Sequence, residues 1–113
     1  MFNMLSCFNL RSGVSLEDFQ SAIETFVEHM QAQSLIVDVS PIGRRCAQTP
    51  MDTDDVRDHQ FFFTSRFVNK AQCDAAYRYI EAAAPAVASI HGAVMRKVAP
   101  DAVFICWDEA SPV

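Results

Sequence analysis

The chain has 113 residues, of which half are hydrophobic and a fifth charged, and its formal net charge is -5. This is the composition of a single globular domain, residues 1–113, and not of a disordered segment. The nine Lys and Arg are scattered, with only the doublets Arg44-Arg45 and Arg96-Lys97, which argues against nucleic acid or an anionic membrane surface as the main partner.

Residues 2–10 read as a strand, with Phe2, Met4, Phe8 and Leu10 on one parity and Asn3, Leu5, Cys7 and Asn9 on the other. Arg11-Ser12-Gly13 is a turn. Ser15 is placed to cap a helix whose first turn carries Glu17 and Asp18, where the helix dipole favours acids. Over residues 16–33, Phe19, Ile23, Phe26 and Met30 recur at steps of four, three and four, the stripe of an amphipathic helix. Residues 35–40 are rich in β-branched side chains and predict a second strand. It resumes past Pro41 toward Cys46, the proline marking a bulge or an edge. Residues 47–58 form a polar connection, and residues 61–67 a third strand. Asn69 caps a second helix over 70–84, with Ala75, Ala76, Tyr79 and Ile80 facing inward. Pro85 opens a third helix to residue 97, with Val87, Ile90 and Val94 inward. Residues 102–107 predict the last strand, and 108–113 a tail.

The order β, α, β, β, α, β predicts an α+β, ferredoxin-like split βαβ: a four-stranded antiparallel sheet with helices on one face. Phe61-Phe62-Phe63 and Val103-Phe104-Ile105-Cys106-Trp107 are apolar at both parities, as in strands buried on both sides. One chain's helices cover only one sheet face. A homodimer formed through the other face removes the exposed patch that would remain. No apolar run is long enough to span a bilayer, and residues 1–8 lack the basic and apolar regions of a secretory signal, so a cytoplasmic location is expected. Cys7, Cys46, Cys73 and Cys106 show no CxxC and no zinc-ligand spacing, and read as reduced, mostly buried thiols.

The opening strand into Phe8-Asn9-Leu10-Arg11-Ser12-Gly13-Val14-Ser15, the long helix from Leu16, and the aromatic third strand together resemble the dimeric α/β-barrel superfamily. In that superfamily ferredoxin-like chains close their sheets into a barrel across a dimer. The segment Ser89-Ile90-His91-Gly92-Ala93-Val94 is similar to an uncharacterised bacterial branch of it. The superfamily includes antibiotic-biosynthesis-type monooxygenases, haem-degrading enzymes, muconolactone-isomerase-like enzymes, chlorite-dismutase-like haem proteins and stress-responsive proteins. The resemblance implies a cavity between sheet and helices. The haem-degrading branch uses a first-strand Asn, a third-strand Trp and a His on the last helix. Here His91 answers to the His, Ser6 or Asn9 would stand for the Asn, and the third strand carries Phe instead of Trp.

His91, at the margin of the inner face of its helix, is the candidate catalytic residue: a general base, haem ligand or pocket hydrogen bonder, or else a His satisfied by backbone or dimer contact. His59 begins the third strand on the parity of Phe61 and Phe63, and faces either a cavity or solvent. His29 reads as surface. The three histidines share no ligand spacing, so no metal is expected. Arg44 and Arg45 point to opposite faces, so one can meet a ligand carboxylate in a cavity, or both can serve as edge-strand charge. Asp52, Asp54, Asp55 and Asp58 lack the ligand alternation of a calcium loop and read as a solvated loop.

Two functions are open. One is binding or transforming a small apolar or aromatic molecule without a cofactor, with Ser6, Asn9, Arg44, Arg45, His59, Phe61 and Phe63 as candidate ligand contacts. The other is a non-enzymatic dimer, stress-responsive or scaffolding, with no ligand pocket.

Overall fold

Strand β1 (Phe2–Phe8) leads into helix α1 (Leu16–Ala32). Two short strands follow, β2 (Asp38–Val39) and β3 (Gly43–Arg44), then β4 (Phe61–Phe67), helices α2 (Lys70–Glu81) and α3 (Pro85–Met95), and β5 (Val103–Asp108). The structure is a computed structural model that describes residues 1–82 and 84–112.

All strand pairs are antiparallel, in the order β2-β4-β1-β5, with β3 also on β4. This is the ferredoxin-like arrangement, with its second strand in two pieces, so the sheet counts five strands instead of four. Pro41 has no N–H for the ladder, and Ser40 patches the gap. The Ser40 N–H donates to the Thr64 carbonyl, and its hydroxyl oxygen accepts from the Thr64 N–H, each at 2.8 Å.

Local chemistry sets the helix ends. The Ser15 hydroxyl accepts from the Asp18 N–H at 3.1 Å, and the Asn69 side chain accepts from the Gln72 N–H at 2.9 Å. Gly13 turns the chain ahead of α1 at φ +82, a backbone conformation that glycine adopts without strain. Pro85 starts α3 and forces Ala84 into an extended conformation. Helix α2 ends at Glu81, short of the expected residue 84; Ala83, and Val113 of the expected tail, lie outside the described residues.

The register sorts the side chains. Phe2, Met4, Ser6 and Phe8 of β1 lie beside Phe67, Ser65, Phe63 and Phe61 of β4 on the face the helices cover. Two apolar clusters fill that face. One gathers Phe8, Phe61, Phe19, Ile23, Val27, Val94 and Val98, and the other Phe2, Phe67, Met30, Ile36, Ala76 and Val87. Helix α1 buries Val27 where the spacing pointed to Phe26. Phe26 is half-buried and touches both clusters, because α3 lies alongside α1 and widens its apolar stripe.

On the outer face the strands present Asn3, Leu5, Cys7, Phe62, Thr64, Val103, Ile105 and Trp107. Asn3 and Cys7 are buried, whereas Ile105 and Trp107 are exposed. The expectation for the cysteines needs correction: Cys46 and Cys106 are exposed, and only Cys7 is fully buried. Cys7 lies opposite Val103, and Cys106 opposite Met4, so Cys7 and Cys106 sit on different sheet faces.

Candidate functional site

The cavity between sheet and helices arises at Ser6. Across β4 its register partner is Phe63, and across β5 it is Phe104. A small hydroxyl between two large rings on one pleated face leaves a hole above it. Helices α1 and α3 roof the hole without filling it. The result is a cavity of about 50 Å³ lined by apolar side chains, chiefly Phe8, Phe19, Phe63, Val94 and Val98, with Ser6 as its polar group. At the rim stand Met95 and Phe104, both exposed.

Ser6 is 2% exposed, and its Oγ has no hydrogen-bond partner among the described residues. A buried hydroxyl left unpaired costs about 1–3 kcal/mol. A hydroxyl with unused donor and acceptor capacity, in an otherwise apolar hole, is the arrangement that orients a small ligand.

Of the other residues picked out by sequence, only Phe63 joins Ser6 in lining this cavity. Phe61 is in the core, stacked on Phe8 at 5.8 Å. The Arg44 guanidinium covers the Phe61 ring at 5.0 Å and stays in solvent. Arg45 is taken up by its own chain. It donates to both carboxylate oxygens of Asp52, at 2.9 and 2.8 Å, and to the carbonyls of Asp54 and Arg57. Asn9 is equally committed: its Oδ1 accepts from the Gln60 N–H at 2.9 Å, and its Nδ2 donates to Asp101.

His59 is buried and not turned to solvent. Its Nε2–H donates to the Asp101 carbonyl at 2.7 Å, and its Nδ1 has no hydrogen-bond partner among the described residues. This ties the segment just ahead of β4 to the segment just ahead of β5, and His59 does not line the cavity. His29, expected on the surface, is half-buried and shares a hydrogen bond of 2.7 Å with the Tyr79 hydroxyl, tying α1 to α2.

His91 is half-buried in the contact of α3 with α1, its ring 5.6 Å from that of Phe26. It does not line the cavity. Burial alone pushes its imidazole below the ordinary value, which favours the neutral form. The larger hollow, about 350 Å³, is an open groove on the outside of the helix layer, between Asp18, Ser21, Ala22 and Thr25 of α1 and Ile90, Ala93 and Lys97. It is partly polar and lacks enclosing walls.

Phe8, Phe19 and Phe104 were not singled out as site residues. The available signal was the Ser6 position itself, a small polar residue on the helix-facing parity of a strand otherwise bearing Phe and Met. No group of three or more His, Cys, Asp or Glu that could hold a metal ion occurs among the described residues. Among those residues, no helix is long and apolar enough to cross a membrane.

Comparison with known proteins agrees with the architecture. A model of a family of unknown function (DUF6614) matches residues 1–106. No curated protein matches the chain. The At3g17210 protein of Arabidopsis thaliana superposes with a TM-score of 0.72 at 13% identity, over 100% of this chain and 99% of that one. SnoaB, a cofactor-independent oxygenase from Streptomyces nogalater, gives 0.65 at 10% identity, over 99% and 95%. A dimeric ferredoxin-like protein of unknown function from Jannaschia sp. CCS1 gives 0.64 at 11% identity, over 95% and 97%. At these identities the likeness establishes the fold.

Proposed function

The chain belongs to a family of unknown function (DUF6614), and from the site itself we propose that it binds a small aromatic molecule carrying one hydrogen-bonding group. In this reading it does so as a one-domain homodimer paired through the outer sheet face. The observation that carries the binding role is the buried, unpartnered Ser6 hydroxyl at the base of a Phe-lined cavity. Phe8, Phe19, Phe63 and Phe104 form the apolar walls, and Ser6 sets the orientation. Met95 has three rotatable bonds and stands at the rim, so it can move to admit a ligand larger than the cavity. Pairing is supported by Ile105 and Trp107, exposed two residues apart on the outer face of β5, and by the dimeric Jannaschia relative. SnoaB offers one precedent for cofactor-free chemistry on this fold, but a shared fold does not transfer a reaction. The reading therefore stops at binding, and His91, which lines no part of the cavity, has no ligand contact in it.

Phenol and benzene, titrated separately and followed by protein-observed NMR, test the site. The wild-type protein should prefer phenol by about fivefold, the worth of one neutral hydrogen bond. In Ser6→Ala the two ligands should bind alike. Saturable binding of neither compound at millimolar concentration would favour the pocketless dimer instead.

A further inference from the structure

The connection from β3 to β4 is not a loose loop. Arg45 lies on the outer-face parity of the sheet, and its guanidinium holds Asp52 through two hydrogen bonds and gathers the carbonyls of Asp54 and Arg57. Within the loop, the Thr49 hydroxyl accepts from the Met51 N–H at 3.3 Å, and the Thr49 carbonyl accepts from the Asp52 N–H at 3.1 Å. The Asp54 carboxylate accepts from the N–H groups of Val56 and Arg57 and pairs with the Arg57 guanidinium at 2.5 Å. Two turns are thus locked, and each presents one apolar side chain. Met51 is 87% exposed and Val56 is 85% exposed, more than any other large hydrophobic residue described.

The loop lies on the outer face of the sheet. Arg45, on the outer-face parity beside β4, anchors it there through Asp52, Asp54 and Arg57. Beyond the loop the same face carries exposed Ile105 and Trp107. Single exposed apolar residues are ordinary on a protein surface. Two of them, held out on turns whose geometry is already determined, are different, because little loop entropy remains to be lost on contact. Arg45 and Arg57 neutralise two acids of the loop, while Asp55 and Asp58 remain exposed around it as a polar rim.

We infer that residues 46–58 form an arm that grips a second copy of this chain, with Met51 and Val56 as its apolar contacts. This rests on the reading that the outer sheet face pairs, because Arg45 anchors the arm on that face. A second copy is the occupant on two grounds. Exposed Ile105 and Trp107 lie on the same outer face to which Arg45 anchors the loop, and the Jannaschia relative, alike over 95% of this chain, is dimeric.

Sedimentation equilibrium on the full chain, as wild type and as the double variant Met51→Ser with Val56→Ser, separates the two readings. Both side chains are exposed in the protomer, so the variant should keep the wild-type circular dichroism. A dimeric wild type with a dimer Kd raised about tenfold or more in the variant supports the arm. A dimeric wild type whose Kd changes less than about twofold overturns the arm and leaves sheet pairing standing. A monomeric wild type overturns both. A second measurement avoids mutation. Dilute hydrogen peroxide should oxidise Met51 more slowly than Met95 at dimer concentrations, although Met51 is the more exposed in the protomer. Faster oxidation of Met51 under those conditions overturns the arm.

Discussion

Strands β1 and β5 are built from similar residues: Phe2-Asn3-Met4-Leu5-Ser6-Cys7-Phe8 in one, Val103-Phe104-Ile105-Cys106-Trp107-Asp108 in the other. Their environments differ sharply. β1 pairs on both edges, with β4 and β5, and every one of its residues is buried or half-buried. β5 pairs on one edge only, and from Phe104 to Asp108 all its residues are exposed. Burial of a strand therefore follows its place in the sheet order and not its own alternation. An edge strand as apolar as a central one leaves apolar side chains in solvent, which is where the proposed pairing can be tested.

The sharpest break of this comparison lies in the core above β1. Phe19→Ala removes a ring packed 4.8 Å from Phe8 and should cost about 3–5 kcal/mol in urea denaturation. Phe104→Ala on β5 should cost less than about 1 kcal/mol in the same assay, since its ring is half in solvent. Equal losses at the two positions would show that the Phe104 ring is as buried as that of Phe19.

Next in size is the effect on pairing. Ile105→Ser combined with Trp107→Ser should leave the fold intact and weaken the dimer by about 2 kcal/mol, roughly 30-fold in Kd. Light scattering would then report a species of 12.6 kDa at concentrations where the wild type runs at twice that mass. A dimer of unchanged strength would place the interface elsewhere.

A smaller effect, of opposite sign, is expected at the centre of β1. Ser6→Ala deletes a buried hydroxyl that has no partner among the described residues, and should stabilise the unliganded protein by about 1 kcal/mol. Such a gain is the usual signature of a residue kept for binding at the expense of stability. A loss of stability would show instead that the Ser6 hydroxyl is satisfied in solution.

The smallest effect concerns the loop over the outer face. The Arg57 guanidinium, first, and the N–H groups of Val56 and Arg57 hold the Asp54 carboxyl down at about 2. Because this value is depressed, the contacts of Asp54 are fully present above the ordinary carboxylate value of 3.8 and are lost as pH falls toward about 2. The Val56 amide resonance should report it, moving with a midpoint near 2; a midpoint near 4 would mean that the turn is not formed.

Much of this was legible in the chain. Helix stripes, the Ser15 and Asn69 caps, the Pro85 break and the apolar strands are written in residues a few positions apart, and the structure repeats them. The candidate site was legible only in part. Ser6 and Phe63 were picked out and do meet at the cavity. Asn9, Arg45 and His59 carry the right chemistry but spend it on Gln60, Asp52 and Asp101, and nothing local announces such partners. His91 followed from its helical position, yet which side of α3 faces the cavity depends on how α1 packs beside it.

By itself, then, the sequence determined the elements and their order, because capping, helical periodicity and proline sterics act over a few residues. Tertiary structure alone decided what each strand residue touches. Ser6 becomes a cavity base because register brings Phe63 and Phe104 to its two sides. β5 becomes an exposed edge because β1 takes the centre. Both outcomes depend on pairing between distant parts of the chain, where a slip of one residue would turn every side chain to the other face.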